Sequence, residues 1–157
     1  MATDEILRDE IGADAKKYLP AFIFFCSLAL DAATKWLALG GMAAAPAGGR
    51  AGFFSLGLHF NYGISFSLLK SSPNATLAAS LIGICVLGAA CCRSKGIRLA
   101  PGTAFLWAGA VGNLADRLTR GYVVDWFYAG VYLNLADAWL CVGVLLLAKQ
   151  FFHRQGG

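Results

Sequence analysis

Acidic side chains all but vanish from this 157-residue chain after position 14, where only Asp31, Asp116, Asp125 and Asp137 follow. Histidine is as scarce, with His59 and His153 alone. No His-Glu-x-x-His stretch occurs, so a zinc protease has no ligand set, and no glycine-rich phosphate loop occurs either. By the topology derived below the two histidines fall on opposite sides. A Ser–His or Cys–His pair would therefore depend on His59, which is expected on the surface of a loop sheet. Cys26, Cys85, Cys91, Cys92 and Cys141 sit in apolar runs, in no metal-ligand spacing, and read as small helix-packing residues. Charged residues make up 14% of the chain against 58% hydrophobic, with a mean hydropathy of +0.61, which excludes an ordinary soluble domain. A net charge of +4 calls for no nucleic-acid partner.

What is there is long apolar runs. Residues 1–17 are polar, with five acids and three bases, and make a cytoplasmic tail in which Ile6, Leu7 and Ile11 suit a short interfacial helix. Tyr18 to Leu39 is a first span, close to the ~20 residues that a ~30 Å hydrocarbon layer requires. A cleavable leader is the competing reading because MAAAPAGG follows; the acid-rich segment before the span, and Asp31 and Lys35 within it, speak against that. Residues 40–74 form the longest polar connection. It opens with a Gly/Ala/Pro stretch and then alternates, GFFSLGLHFNYGISFSLL, which suggests a small sheet or hairpin at the membrane surface. SSPN then turns and starts the next helix.

Ala75 to Cys92 is a second span, and Arg93, Lys95 and Arg98 follow it in a short loop. Leu99 to about Leu118 is a third, with Pro101 near its start where a missing N–H is tolerated. A loop from Thr119 to Gly130 carries Asp125, and Val131 to Phe152 is a fourth span. The expectation is an all-α membrane protein, a four-transmembrane-helix bundle over 18–152, with a short tail at 153–157. Eight Lys and Arg lie on the side of the two termini and four on the other, which places both termini in the cytoplasm. All four late acids then converge on the outer leaflet.

Buried carboxylates in hydrocarbon are costly, so these acids are functional candidates. Asp31 and Lys35 are an i, i+4 pair and favour a structural tie. Asp116 and Arg117 suit either a tie between helices or a substrate role. Asn113 shares a helix face with them, and Asn134 shares one with Asp137. Asp125 and Asp137 have no base at helical spacing. Two carboxylates brought together in a low-dielectric pocket share a proton, so that one can take a proton from water while the other hydrogen-bonds a carbonyl under attack. That is aspartic-type peptide hydrolysis, though a proton relay or cation site would use the same residues. A proton- or cation-coupled carrier and a scaffold tied by ion pairs are the alternatives. The carrier needs a polar path through the inner halves of the spans, where Lys149 at the end of the fourth is the one charged residue, and the scaffold leaves Asp125 and Asp137 unpartnered.

Five blocks in order, DAATK at Asp31–Lys35, NYGISF at Asn61–Phe66, GNLADR at Gly112–Arg117, GYVVDW at Gly121–Trp126 and NLAD at Asn134–Asp137, resemble the bacterial lipoprotein signal peptidases, the type II signal peptidases. The resemblance covers about residues 18–152. It implies an intramembrane aspartic peptidase of the bacterial inner membrane that cleaves prolipoproteins before a diacylglyceryl-modified cysteine, needs no metal or cofactor, and works as a monomer among membrane lipid. By position in those motifs, Asp125 and Asp137 are the implied catalytic pair. Asn61, Asn113, Arg117 and Asn134 are implied to surround them and hold substrate, with Asp31, Lys35 and Asp116 in support. The outer loop at 52–70 would be the family's small β-cradle. Departures include Ile64, Leu133, a longer acidic N-terminal tail, and a connection from Asp125 to Asp137 of only eleven residues, short for a segment that closes over the site in the family.

Overall fold

The computed structural model describes residues 2–41, 54–63, 72–98 and 100–155. Its elements in chain order are α1 (Ala2–Gly41), β1 (Phe54–Asn61), α2 (Pro73–Arg93), the single turn α3 (Lys95–Arg98), α4 (Pro101–Arg120), β2 (Val123–Ala129), β3 (Tyr132–Leu133) and α5 (Leu135–Gln155). The Gly/Ala/Pro stretch at 42–53 and the continuation of the alternating pattern at 64–70 lie outside the described residues.

Local chemistry sets the helix ends. Ser72 caps α2, its hydroxyl accepting from the Ala75 N–H at 3.4 Å, and Pro73 occupies the first turn. Pro101 opens α4 in the same way. Gly121 closes α4 in the left-handed region (φ 79°), donating its N–H to the Arg117 carbonyl at 3.1 Å, and so turns the chain directly into β2. Asn134 and Asp137 exchange bonds at the start of α5. The Asp137 N–H donates to Asn134 Oδ1 at 3.0 Å and the Asn134 N–H donates to Asp137 Oδ2 at 3.2 Å, a reciprocal cap that satisfies two N–H groups.

The packing is inside out relative to a soluble protein. Phe22, Phe25, Trp36, Ile82, Val86, Leu145 and Phe152 are exposed, while Ser27, Asp31, Lys35, Thr76, Thr103, Asn113, Asp116, Asp125 and Asn134 are buried. That distribution suits a lipid surround, where the outer face must be apolar and polar groups turn inward. Among the described residues three helical segments, Lys17–Gly41, Asn74–Arg93 and Leu135–His153, are long and apolar enough to cross a membrane. α4, expected as a further span, is 20 residues long but less apolar, carrying Asn113, Asp116, Arg117 and Arg120. It packs against α1, α2 and α5. Close approach of α4 and α5 needs glycine: a Cβ on Gly109 would stand 2.4 Å from the Ala136 carbonyl oxygen, and one on Gly102 2.8 Å from that of Gly143.

The alternating segment forms a strand over 54–61, as part of the small sheet expected there, and two other expectations are corrected. β1 pairs antiparallel with β2, which in turn pairs with β3, so the expected loop around Asp125 is the centre of a three-stranded sheet. Period-two alternation marks a strand and says nothing about its partner. Among the cysteines only Cys91 is buried; Cys26, Cys85, Cys92 and Cys141 are exposed on the outer faces of their helices and pack nothing inside.

Candidate active site

Five elements meet at one end of the bundle, and all nine candidate residues take part in one network. Its anchor is Lys35 on α1, only 2% exposed. The Nζ lies 2.8 Å from Asp31 Oδ2 one turn earlier, 3.0 Å from Asp116 Oδ2 on α4, and donates to Asn113 Oδ1 at 3.1 Å. An ammonium has three donors, and all three are used here. Asp31 Oδ1 accepts the Ala136 N–H at 2.9 Å, tying α1 to the first turn of α5. Asp116 accepts the Val124 N–H at 3.2 Å and an ion-paired hydrogen bond from Arg120. Asp31 can come so near α4 because residue 112 is glycine; a Cβ there would lie 2.6 Å from Asp31 Oδ2. Asp31, Lys35 and Asp116 therefore do more than tie neighbouring turns. They cross-link α1, α4, β2 and α5.

From this anchor the network reaches two carboxylates. Because Asn113 turns its oxygen toward Lys35, its amide N–H faces outward and donates to Asp137 Oδ1 at 3.0 Å. Asn134 Nδ2 donates to Asp125 Oδ1 at 2.6 Å and to Asn113 Oδ1 at 3.3 Å. Asn61 at the end of β1 donates to Asp125 Oδ2 at 3.0 Å. Asn134 thus touches both aspartates, one through its side chain and the other through its backbone. Asp125 is fully buried, and that burial, with Asp137 nearby, pushes its carboxyl up to about 6 against the pull of Asn61, Asn134 and Lys35. Each carboxylate oxygen accepts from one donor, and a carboxylate oxygen has room for a second.

Arg117 is not paired with its neighbour Asp116. It donates through Nη2 to the Gly63 carbonyl at 2.9 Å and through Nη1 to the Asn113 carbonyl at 3.2 Å. Gly63 itself donates its N–H to Asn61 Oδ1 at 3.0 Å, so Arg117 holds the turn that aims Asn61. The Arg117 Nε–H is buried and unpartnered among the described residues. Sequence reasoning missed Arg120, the Ala136 N–H and above all His59. Expected on the surface, His59 is the cross-strand partner of Asp125, with Nδ1 3.9 Å from Asp125 Oδ2 and its ring stacked on Tyr132. Among the described residues no three His, Cys, Asp or Glu side chains are grouped so as to hold a metal ion. The buried acids around Lys35 are instead neutralised by that lysine and Arg120.

With this geometry in view, comparison with known proteins is decisive. The family model for signal peptidase (SPase) II matches residues 23–153. The chain belongs to the signal peptidase II family. A lipoprotein signal peptidase of Rickettsia africae is 36% identical over 110 residues, a match covering 64% of this chain and 55% of that relative, so the matched region is about half of the Rickettsia protein's length. One from Salmonella newport is 39% identical over 140 residues, covering 80% of this chain and 82% of the relative. A solved structure described as a bacterial membrane enzyme superposes with a TM-score of 0.70 at 20% identity, covering 87% of this chain and 88% of that one, and shares the fold. Membership of the signal peptidase II family agrees with the apolar helices in making the chain a membrane protein. All five motif blocks that carry the resemblance fall within the matched residues.

Proposed function

We propose that this chain is an intramembrane aspartic endopeptidase that removes the signal peptide from prolipoproteins by hydrolysing the bond before the diacylglyceryl-modified cysteine. One observation carries the reading: Asp125 on β2 and Asp137 on α5 are held by a single residue, Asn134. With one proton shared by the pair, the ionised carboxylate takes a proton from water as the water oxygen bonds to the scissile carbonyl carbon. The protonated carboxyl gives its proton to the carbonyl oxygen, forming a gem-diol. Return of a proton to the amide nitrogen breaks the C–N bond, and the cysteine amine leaves.

The other residues support that step. Asn61, Asn113 and Asn134 hold the pair, and the open Nε–H of Arg117 is available to a substrate carbonyl freed when the signal helix unwinds. Asp31, Lys35 and Asp116 keep Asn113 turned toward Asp137. β1, the first outer strand, serves as the substrate cradle together with β2 and β3. In this reading α4 is a fourth span, shielded by its neighbours, and the tails at 1–17 and 153–157 lie in the cytoplasm of a bacterium. The site then opens at the outer leaflet of the inner membrane, where a diacylglyceryl group keeps the scissile bond. The protein works as a monomer. A carrier would need ionisable groups along the rest of the bundle, whereas the buried ones among the described residues, Asp31, Lys35, Asp116 and Asp125, all belong to this one network.

The test is cleavage of a diacylglyceryl-modified prolipoprotein by purified wild type, Asp125→Asn and Asp137→Asn, with folding checked by thermal melting. Wild type should cleave, and each variant should lose ~10²–10⁴-fold in kcat while remaining folded. Undiminished cleavage by either folded variant would remove that residue from the pair. A folded wild type that never cleaves would return the carrier reading.

A further inference from the structure

One side chain beside the pair has no part in that mechanism. β1 and β2 shift register between Leu56 and His59, and the irregularity brings His59 opposite Asp125. Directly opposed residues of an antiparallel pair share a face of the sheet. The imidazole is accordingly 3.9 Å from Asp125 Oδ2, the oxygen that also accepts from Asn61. That separation is too long for a hydrogen bond and short enough for strong coupling between charges. The ring is clamped against Tyr132, with centroids 4.7 Å apart and planes within 9°. Tyr132 is delivered by the tight β2–β3 connection, where Gly130 takes φ 80°. His59 is about one-third exposed and Asp125 is not, so the imidazole stands at the mouth of the site, able to exchange protons with water.

The groups around Asp125 and His59 come from every packed element: Lys35 from α1, Arg117 from α4, with Asp116 beyond it, Asp137 from α5, Asn61 from β1 and the Tyr132 ring, against His59, from β3. Of these neighbours and His59, an imidazole is the one side-chain type whose ordinary charge change falls between about pH 5 and 8. We propose that His59 is a positioning residue for the aspartate pair: as an imidazolium it holds Asp125 ionised, ready to accept a proton from water, and carries catalysis further toward acid than the two aspartates would alone. The inference rests on the peptidase reading above.

The experiment is the pH profile of kcat/KM on the diacylglyceryl-modified prolipoprotein for wild type, His59→Gln and His59→Lys. Alongside it runs the infrared C=O band of the protonated Asp125 carboxyl, assigned by its loss in Asp125→Asn. His59→Gln should move the acidic limb up by about one pH unit, the lower end of what an opposite charge at this range produces, and leave the position of the alkaline limb in place. His59→Lys stays charged throughout, so it should keep the acidic limb and draw the alkaline limb down. The infrared titration should move in the same directions. Limbs and band unmoved in both variants, or activity lost equally at all pH, overturn the proposal. A band that shifts in a folded protein that never cleaves would sink the peptidase reading instead and leave the His59–Asp125 coupling standing.

Discussion

Replacing Lys35 by methionine keeps most of the buried stem and removes only the ammonium. Three contacts go with it, to Asp31 at 2.8 Å, Asp116 at 3.0 Å and Asn113 at 3.1 Å, in a place where lysine and Asp31 are 2% and 1% exposed. Asp116 retains Arg120 and the Val124 N–H, whereas Asp31 is left with the Ala136 N–H alone. Breaking a buried ion pair by deleting one partner costs ~3–5 kcal/mol. At ~2–4 °C per kcal/mol for a chain of this size, Lys35→Met should melt about 6–20 °C below wild type in detergent at pH 7. Cleavage should fall as well, since Asn113 no longer has a cation to orient its amide toward Asp137. Adding Asp31→Asn removes the stranded carboxylate and should recover at least half of the lost melting temperature. A single variant within about 2 °C of wild type, or a double variant less stable than the single, would refute the account of Lys35 as the anchor.

Gly109→Ala places a methyl 2.4 Å from the Ala136 carbonyl, next to Asp137, and should destabilise by ~1–3 kcal/mol and depress cleavage. Gly83→Ala, where nothing lies within 4 Å, is the control, and equal melting of the two would contradict the close approach of α4 and α5. Asn134→Ala deletes the helix-start bond to the Asp137 N–H, worth ~1 kcal/mol, and the bond to Asp125. Its kcat should drop much more than its KM changes, measured on the lipidated substrate. The Asp125 carboxyl, raised from 3.8 to about 6, binds its proton more tightly folded than unfolded. Stability from this group is therefore present below about pH 4 and lost as pH climbs through 6, an effect of about 3 kcal/mol. Melting temperature of wild type should fall over that window relative to Asp125→Asn; parallel curves would contradict it.

Much of the site was legible because apolar surroundings make every ionisable residue conspicuous. Four late acids, read with hydropathy, were enough to bring Asp31, Asp116, Asp125 and Asp137 to one end of the bundle. The first, second and last spans were found for the same reason. α4 was read as equal to the others, although it is set apart by its polar content, because a helix enclosed by its neighbours has no need of a uniformly apolar surface. The adjacency of Asp116 and Arg117 suggested a pair, but successive residues on a helix point about 100° apart, and each side chain found a different partner. His59 was out of reach for another reason. Alternation announces β1, yet its partner strand lies some sixty residues later, and no local pattern states that His59 and Asp125 will be opposed.

That long-range pairing bears on how the protein comes into being. Helices enter the membrane as the chain is made, and α5, which carries Asn134 and Asp137, enters last of these elements. Until it docks, Asp125 has no second carboxylate and no Asn134 amide, and Asp31 has no Ala136 N–H to hold. On the proposed reading a partly inserted chain is therefore chemically idle, and the site is whole only once α5 has docked against the bundle.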